Sequence, residues 1–249
     1  HPALTHCCRH QEDNDALTTT RGMQTMGNWI TLDTHHGKAQ AWEALPEGTP
    51  RGALVVIQEI FGVNEHMRAV AERFAAEGYA VLVPSFFDLL TDDASASPLE
   101  LAYDQDGVRA GLDAVNALGV EKALVLVRAA ATRLAAHGKV GTVGYCWGGS
   151  IALLAALRLG LPSVSYYGAR NVHYLDEAPK APVMFHFGNQ DKSIPPEAIA
   201  AHREKLPQMA TFVYPADHGF NRDVGHAYDP DSAALALQRT LDFFTEHLG

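Results

Sequence analysis

The sequence predicts an α/β fold with a mostly parallel central sheet, helices on both faces and an antiparallel edge at its N-terminal side. Short apolar runs alternate with helical periodicity along most of the chain, and this alternation is typical of a parallel sheet. The run Ala53–Glu59 is predominantly apolar, as in a strand that is covered on both faces. Before it, Asn28–Thr34 and Lys38–Leu45 are predicted to form an antiparallel hairpin through His35–Gly37.

Three helices are predicted in the first half of the chain from apolar residues at helical spacing: Asn64–Glu77, Pro98–Leu118 and Val120–His137. Gly78 and Gly119 follow the first two helices, and glycine is a common residue just past a helix end.

The remaining strands are predicted at short apolar runs rich in β-branched and aromatic residues: Tyr79–Pro84, Val140–Tyr145, Ser163–Tyr167, Val183–Phe187 and Thr211–Tyr214. A helix of small apolar residues follows the strand at 140–145. Two more helices are predicted at Pro196–Leu206 and from about Asp231 onward. In such sheets ligands bind beyond the carboxyl ends of the strands, and candidate site residues are therefore sought there.

The turn Gly144–Gly149 has a Gly-x-Cys-x-Gly pattern between a strand and the apolar helix Ser150–Leu157. This order is that of the nucleophile elbow of α/β-hydrolases, with cysteine in place of the usual serine. Gly144 and Gly148 flank Cys146 because so tight a turn tolerates almost no side chain there. The following helix N-terminus favours a thiolate. Cys146 is therefore a candidate nucleophile; the alternative is a buried cysteine beside a glycine-rich turn.

Two further residues fit a catalytic triad, whose acid and histidine follow the nucleophile in chain order. Asp191 lies on the loop after the strand at 183–187, and His218 lies on the loop after the strand at 211–214. Each has a simpler interpretation, since Asp191 could cap the turn before Pro195 and His218 is one of 13 histidines. Three such residues in the right order, each at a strand end, favour the catalytic interpretation.

With these motifs the chain resembles the dienelactone hydrolases. The resemblance covers residues 30–246 and lies in five segments: Gln58–Gly62, Gly144–Gly149, Tyr166–Gly168, Gly188–Asp191 and His218–Phe220. It implies the α/β-hydrolase fold and a triad of Cys146, Asp191 and His218.

The resemblance also implies roles for three residues beside the triad. Glu59 would be an auxiliary carboxylate that contacts the resting thiol and moves when substrate binds. Its simpler interpretation is a glutamate that caps a strand end. The backbone N–H groups of Ile60 and Trp147 would form the oxyanion hole.

Substrate binding is predicted at Arg222 and Tyr167. Family members that act on dienelactone bind its carboxylate with arginines, and Arg222 stands where one of them occurs. The position of the second is in the loop Ser85–Asp93, which contains no basic residue. This difference points to a less anionic substrate. The alternative for Arg222 is a surface position, paired with Asp217 or Asp223.

Composition excludes several other classes. The 249 residues, 47% of them hydrophobic, suffice for a single domain, predicted over 28–249 after a disordered tail over 1–27. A net charge of −10 argues against nucleic-acid binding, and no apolar stretch reaches the roughly 18 residues that span a bilayer. Adjacent Cys7 and Cys8 match no usual zinc spacing. We expect no cofactor or metal, a cytoplasmic monomer, and a small molecule as the only partner.

The sequence therefore predicts a hydrolase that cleaves a lactone or a small carboxylic ester with a cysteine nucleophile. Two alternatives stay open at this point. One is a general carboxylesterase with an unrelated substrate. The other is a non-catalytic binder of small ligands on the same fold, because a fold does not by itself imply an activity.

Overall fold

A computed structural model describes residues 27–93 and 97–249, and its central feature is an eight-stranded sheet. The strands are β1 (Asn28–Thr34), β2 (Gly37–Ala44), β3 (Gly52–Ile57), β4 (Tyr79–Pro84), β5 (Val140–Tyr145), β6 (Ser163–Tyr166), β7 (Val183–Gly188) and β8 (Ala210–Tyr214). The helices are α1 (Glu65–Ala76), α2 (Gln105–Leu134), α3 (Trp147–Leu154), α4 (Pro196–Lys205) and α5 (Pro230–Leu248).

The strand order across the sheet is β1-β2-β4-β3-β5-β6-β7-β8. Strand β2 runs antiparallel to both β1 and β4, and every other neighbouring pair is parallel. The predicted α/β architecture with an antiparallel N-terminal edge is confirmed.

The three central strands are buried along their whole length. All six residues of each of β3, β4 and β5 are buried, so both faces of the sheet are covered there. This burial explains why the run at 53–57 is apolar without alternation: neither of its faces meets water.

The helix predicted from Pro98 begins later, at Gln105, and that boundary was wrong. Residues 99–103 follow an irregular path because the backbone N–H of Leu101 donates to the carbonyl of Phe61, at 2.9 Å. Asp104 then caps the helix, since its side chain accepts from the N–H of Gly107. The predicted interruption at Gly119 is present: its φ of 74° and ψ of 163° break the helical geometry within α2.

The register of the parallel strands brings five loops to one edge of the sheet. Gly144 lies opposite Ile57 of β3, Tyr145 opposite Tyr166 of β6, and Gly188 of β7 opposite Tyr214 of β8. The loops that begin after β3, β5, β6, β7 and β8 consequently leave the sheet side by side. The triad candidates Cys146, Asp191 and His218 lie on these loops, as do Glu59, Ile60, Tyr167 and Arg222.

The expectations for residues 1–26, including Cys7 and Cys8, lie outside the described residues. Within the described ranges, no helix has the length and apolar character needed to cross a membrane. No group of three or more histidine, cysteine, aspartate or glutamate side chains is arranged to hold a metal ion in the same part of the chain.

Candidate active site

The turn after β5 holds Cys146 in a backbone conformation that residues other than glycine rarely adopt. Its φ is 60° and its ψ is −122°, while α3 begins at the next residue. A Cβ at Gly144 would lie 1.8 Å from the carbonyl oxygen of Gly148, and one at Gly148 would lie 2.3 Å from that of Gln58. Both glycines are thus required by close backbone contacts, the second of which presses the elbow against the loop after β3.

The imidazole of His218 lies between the cysteine and an aspartate. Its Nε2 is 3.2 Å from Cys146 Sγ, and its Nδ1 is 2.6 Å from Asp191 Oδ2. The three residues come from the loops after β5, β7 and β8. They therefore meet only because the parallel sheet aligns the ends of these strands.

The two candidate acids, Asp191 and Asp217, make different contacts with His218. Asp217 accepts the backbone N–H of His218, at 2.6 Å, whereas Asp191 contacts the imidazole ring. Asp191 is itself held in place, because its Oδ1 accepts the N–H of Ser193 at 2.9 Å. This geometry favours Asp191 as the residue that orients the histidine.

Tyr167 packs against the imidazole. Its ring centroid lies 5.1 Å from that of His218 and 5.2 Å from that of Phe220. The side chain is buried, and the backbone has a positive φ of 36°, which is stabilised by a hydrogen bond from Tyr167 N–H to the carbonyl of His186. Tyr167 thus lies at the site through the packing of its ring against the imidazole of His218.

The backbone N–H groups of Ile60 and Trp147 belong to two segments in contact. Trp147 is the first residue of α3, so its N–H has no acceptor within the helix. The loop with Ile60 is packed from the other side by α2, where a Cβ at Gly111 would lie 2.2 Å from the Ile60 carbonyl oxygen. Helix α2 therefore packs directly against Ile60.

Glu59 is paired with Arg222. Glu59 Oε2 lies 3.0 Å from Arg222 Nη1, and the two side chains are 3% and 16% exposed. Within the described part of the chain, Glu59 Oε1 has no hydrogen-bond partner. In this arrangement Cys146 contacts His218. The negative charge of the buried Glu59 carboxylate is compensated by the Arg222 guanidinium. Arg222 also differs from the surface alternative, since it pairs with neither Asp217 nor Asp223.

Tyr103 was missed by the sequence reasoning. The guanidinium carbon of Arg222 lies 4.4 Å from the centroid of its ring. The side-chain amide of Asn64, which caps α1, donates to the Tyr103 hydroxyl at 2.7 Å. Tyr103 was missed because the sequence placed it inside a helix over 98–118, whereas it lies on the irregular segment before α2.

Electrostatics at His218 favour its protonated form. Burial alone would lower the pKa of His218, but the hydrogen bonds with Asp191 and Cys146 outweigh burial and raise it to about 10. A histidine with this pKa is protonated at neutral pH. The Nε2 of this imidazolium lies 3.2 Å from Cys146 Sγ.

The raised pKa of His218 predicts a pH-dependent stability. Its hydrogen bonds should stabilise the folded protein fully below the ordinary pKa of 6.5, and this contribution should be lost as the pH rises toward about 10. The difference in melting temperature between the wild type and His218→Gln should therefore shrink over that range. A constant difference would contradict the prediction.

Comparison with known proteins gives a consistent result. The model of the dienelactone hydrolase family matches residues 39–248. Carboxymethylenebutenolidase of Pseudomonas putida is 31% identical over 205 residues, which are 80% of this chain and 87% of that protein.

Solved structures share the fold. A crystal structure from Klebsiella pneumoniae, of a protein assigned to the dienelactone hydrolases, has a TM-score of 0.78 and 26% identity, and the match covers 89% of this chain and 98% of that one. A dienelactone hydrolase-like promiscuous phosphotriesterase from metagenomic libraries has a TM-score of 0.69 and 22% identity, over 90% of this chain and 99% of that one. The second likeness concerns the fold alone. The family match covers most of the chain, and together with the α/β-hydrolase fold it establishes that this protein is a hydrolase that belongs to the dienelactone hydrolase family.

Proposed function

We propose that the protein hydrolyses a lactone or a small carboxylic ester, with Cys146 as nucleophile, His218 as proton carrier and Asp191 as the residue that orients the histidine. The observation that supports this most is the pair of contacts made by one imidazole, at 3.2 Å to Sγ and at 2.6 Å to the carboxylate. A nucleophile, a base and an orienting acid in hydrogen-bond contact are the components of covalent acyl transfer.

In the first half of the proposed reaction the thiolate of Cys146 attacks the carbonyl carbon and forms a tetrahedral oxyanion. His218, protonated at the outset, then gives its Nε2 proton to the departing oxygen as the C–O bond breaks. The product is an acyl thioester on Cys146 with the alcohol released. In a lactone this alcohol stays attached to the acyl chain.

The oxyanion would be stabilised by the N–H groups of Ile60 and Trp147. One donor of this kind contributes on the order of 3 kcal/mol to transition-state stabilisation in comparable sites. An ester suits the site better than an amide. The thiolate is itself a good leaving group, so the tetrahedral intermediate reverts to the starting materials unless its other leaving group departs readily. An alkoxide or enolate departs more readily than an amine.

The second half of the reaction needs a neutral histidine. Once Sγ is acylated it no longer accepts a hydrogen bond as a thiolate, so part of the cause of the raised pKa of His218 is lost. The neutral imidazole then takes a proton from water, which attacks the thioester carbonyl. Collapse of the second oxyanion expels the thiolate and releases the acid.

Arg222 is proposed to bind a carboxylate on the substrate. Its Nε donates to the carbonyl of Val224, and one Nη1 hydrogen donates to Glu59, which leaves the Nη2 hydrogens for a ligand. Glu59 would release Arg222 or retain it depending on the charge of the substrate, and this exchange is the proposed form of its auxiliary role. Tyr167 is proposed to face the same ligand beside His218.

Replacing Arg222 by alanine should raise KM for a carboxylate-bearing lactone by about 10- to 100-fold, the scale of a lost hydrogen bond to a charged group of roughly 1.5–3 kcal/mol. KM for neutral p-nitrophenyl acetate should change far less. The protein should also lose about 3 kcal/mol of stability, because Glu59 is left buried without its partner. Steady-state kinetics and urea unfolding measure the two effects.

Arg73→Ala provides the matched control. Arg73, on α1, pairs at 3.4 Å with Asp223, which directly follows Arg222 in the chain, but the side chains of Arg73 and Asp223 are both 46% exposed. Neither KM should change in this variant. Equal losses on charged and neutral substrates in Arg222→Ala would indicate a structural role for Arg222 instead of carboxylate binding.

The first experiment for the proposed function is incubation with p-nitrophenyl acetate and a panel of lactones, with and without prior alkylation by iodoacetamide. Hydrolysis that iodoacetamide abolishes supports the thiol mechanism and excludes a non-catalytic binder. A preference for lactones separates the proposed function from that of a general carboxylesterase. Absence of hydrolysis of every substrate would overturn the proposal.

A reactive thiol also bears on the compartment. A thiolate is the form of cysteine that oxidises most readily, so the proposed chemistry needs reducing conditions. We propose a cytoplasmic location on this ground, and a monomer acting on a small molecule.

A further inference from the structure

We propose that His186 is a positioning residue, whose buried side chain joins β7 to β8 and α5 and thereby sets where Asp191 and His218 stand relative to each other. The inference rests on the proposed function, because it concerns the triad of that same site. The side-chain hydrogen bonds of His186 go to Tyr214 and Thr240 rather than to the triad. Its effect is therefore exerted through the strands whose ends carry the triad.

Both nitrogens of the His186 imidazole have hydrogen-bond partners inside the protein. Nδ1 lies 2.9 Å from the hydroxyl oxygen of Tyr214 on β8, and Nε2 lies 2.9 Å from that of Thr240 on α5. Tyr166 of β6 belongs to the same cluster, since its hydroxyl lies 3.0 Å from Thr240 Oγ1. All four residues are buried. One buried polar cluster thus connects β6, β7, β8 and α5.

Arg239 fixes the direction of these hydrogen bonds. Its Nη1 donates to the Tyr214 oxygen at 3.1 Å, and a guanidinium can only donate. The Tyr214 O–H is then directed at Nδ1 of His186, so Nε2 carries the ring proton and donates to Thr240. This assignment gives a partner to the Tyr214 proton and to both ring nitrogens.

His186 is neutral near pH 7. Burial, and next the charge of Arg239, lower the pKa of His186 to about 3. The titratable and charged groups that face it among the described residues are Tyr166 on β6, Tyr214 on β8 and Arg239 on α5. Burial raises the pKa of both tyrosines, so these groups also keep their charge near neutral pH. The cluster is consequently a fixed set of hydrogen bonds.

The cluster lies near the carboxyl ends of the strands that carry the triad. His186 precedes Asp191 by five residues on β7, and Tyr214 precedes His218 by four on β8. The two loops are bonded to each other here, because the N–H of Asn189 donates to the carbonyl of Tyr214 at 2.8 Å. The position of β7 against β8 therefore controls the contact between Asp191 Oδ2 and His218 Nδ1, at 2.6 Å.

His186 also holds the residue that packs on the catalytic imidazole. Its carbonyl accepts the N–H of Tyr167 at 2.8 Å, and the ring of Tyr167 lies 5.1 Å from that of His218. Phe220 packs beside both groups, since its ring centroid lies 5.2 Å from that of Tyr167 and 5.2 Å from that of Tyr214. A displacement of the cluster would reach His218 through these packed rings as well as along the strand.

Two substitutions each remove one hydroxyl of the cluster and leave His186 in place: Tyr214→Phe and Thr240→Val. In both variants kcat for p-nitrophenyl acetate should fall about 10²-fold, the scale expected when a remote change misplaces a catalytic group by about 1 Å. KM should change less than about twofold, because neither hydroxyl contributes to substrate binding.

A second measurement does not depend on turnover. The hydrogen bonds with Asp191 and Cys146 raise the pKa of His218 to about 10 against the effect of burial, and a displaced His218 should lose part of them. Titration followed by NMR should therefore show the pKa of His218 moving toward its ordinary 6.5 in both variants. The His218 signals are assigned by their absence from the spectrum of His218→Gln.

Thr142→Val is the matched control. Thr142 is as buried as Thr240, and its hydroxyl lies 2.7 Å from that of Ser163, but Ser163 is the first residue of β6 and lies away from the triad loops. This variant should melt earlier than the wild type, with kcat and the titration of His218 unchanged.

Wild-type kcat and an unchanged pKa of His218 in folded Tyr214→Phe and Thr240→Val variants would overturn the inference, since the cluster would then contribute to stability alone. Failure of the wild type to hydrolyse any ester would overturn the proposed function, and the titration of His218 would then decide the inference by itself.

Discussion

Replacement of Cys146 by alanine is expected to abolish hydrolysis, with a loss of turnover of at least about 10⁴-fold. Without the sulfur no acyl intermediate forms, and only binding and the oxyanion hole remain. Cys146→Ser should be nearly as inactive, because a site that stabilises a thiolate does not by that means activate a hydroxyl. Release of p-nitrophenol under single-turnover and steady-state conditions measures both losses.

The fold should survive these changes. Cys146 has a φ of 60°, and neither alanine nor serine relieves or adds to the strain of that conformation. Circular dichroism and melting temperature should match the wild type. Simultaneous replacement of Cys7 and Cys8 is the matched control and should leave activity unchanged. Wild-type turnover by a correctly folded Cys146→Ala variant would remove the nucleophile from the proposal.

The second large effect is expected at the histidine. His218→Ala should reduce turnover by several orders of magnitude, about 10³-fold or more, because the variant lacks the group that protonates the leaving alcohol. Asp191→Asn should cost somewhat less than His218→Ala, about 10²- to 10³-fold, since the amide can hold the ring but favours the wrong tautomer. Measurement of kcat at saturating ester separates these effects from binding.

Asp217→Asn is the control for the choice of acid. The Asp217 carboxylate accepts a hydrogen bond from the backbone N–H of His218 and not from its ring. Replacement of Asp217 should therefore leave most of the activity. A silent Asp191→Asn combined with an inactive Asp217→Asn would show that the wrong acid has been chosen. Melting temperatures of both variants exclude unfolding as the cause.

Much of the architecture is predictable because local patterns specify it. Most of the eight strands begin and end within one residue of the boundaries predicted from apolar runs. The elbow is marked by Gly144 and Gly148, two positions at which an added Cβ would collide with the backbone. The exception is the segment at 98–104. Its apolar residues occur at helical spacing, yet its backbone bonds to the loop after β3, a tertiary contact that overrides the local preference.

Partners of the site's charged groups were harder to predict. The sequence favours Asp191 over Asp217, because a residue directly before His218 is expected to point away from its ring; the structure shows the contact between Asp191 and the imidazole itself. Glu59 was expected at the thiol and is found at Arg222, 163 positions further along the chain. Residues so far apart meet through the sheet, and no periodicity in the sequence records that meeting.

The sequence by itself determined the α/β class, the positions of Cys146, Asp191 and His218, and their chain order, because strands, tight turns and helices follow from local spacing and glycine content. Only the tertiary structure decided which side chains are partners: the imidazole with Asp191, Glu59 with Arg222, and Arg222 with Tyr103. The reason is that the carboxyl ends of parallel strands align loops from distant parts of the chain. There, hydrogen-bond geometry and the cost of leaving a buried charge unpaired select the contacts.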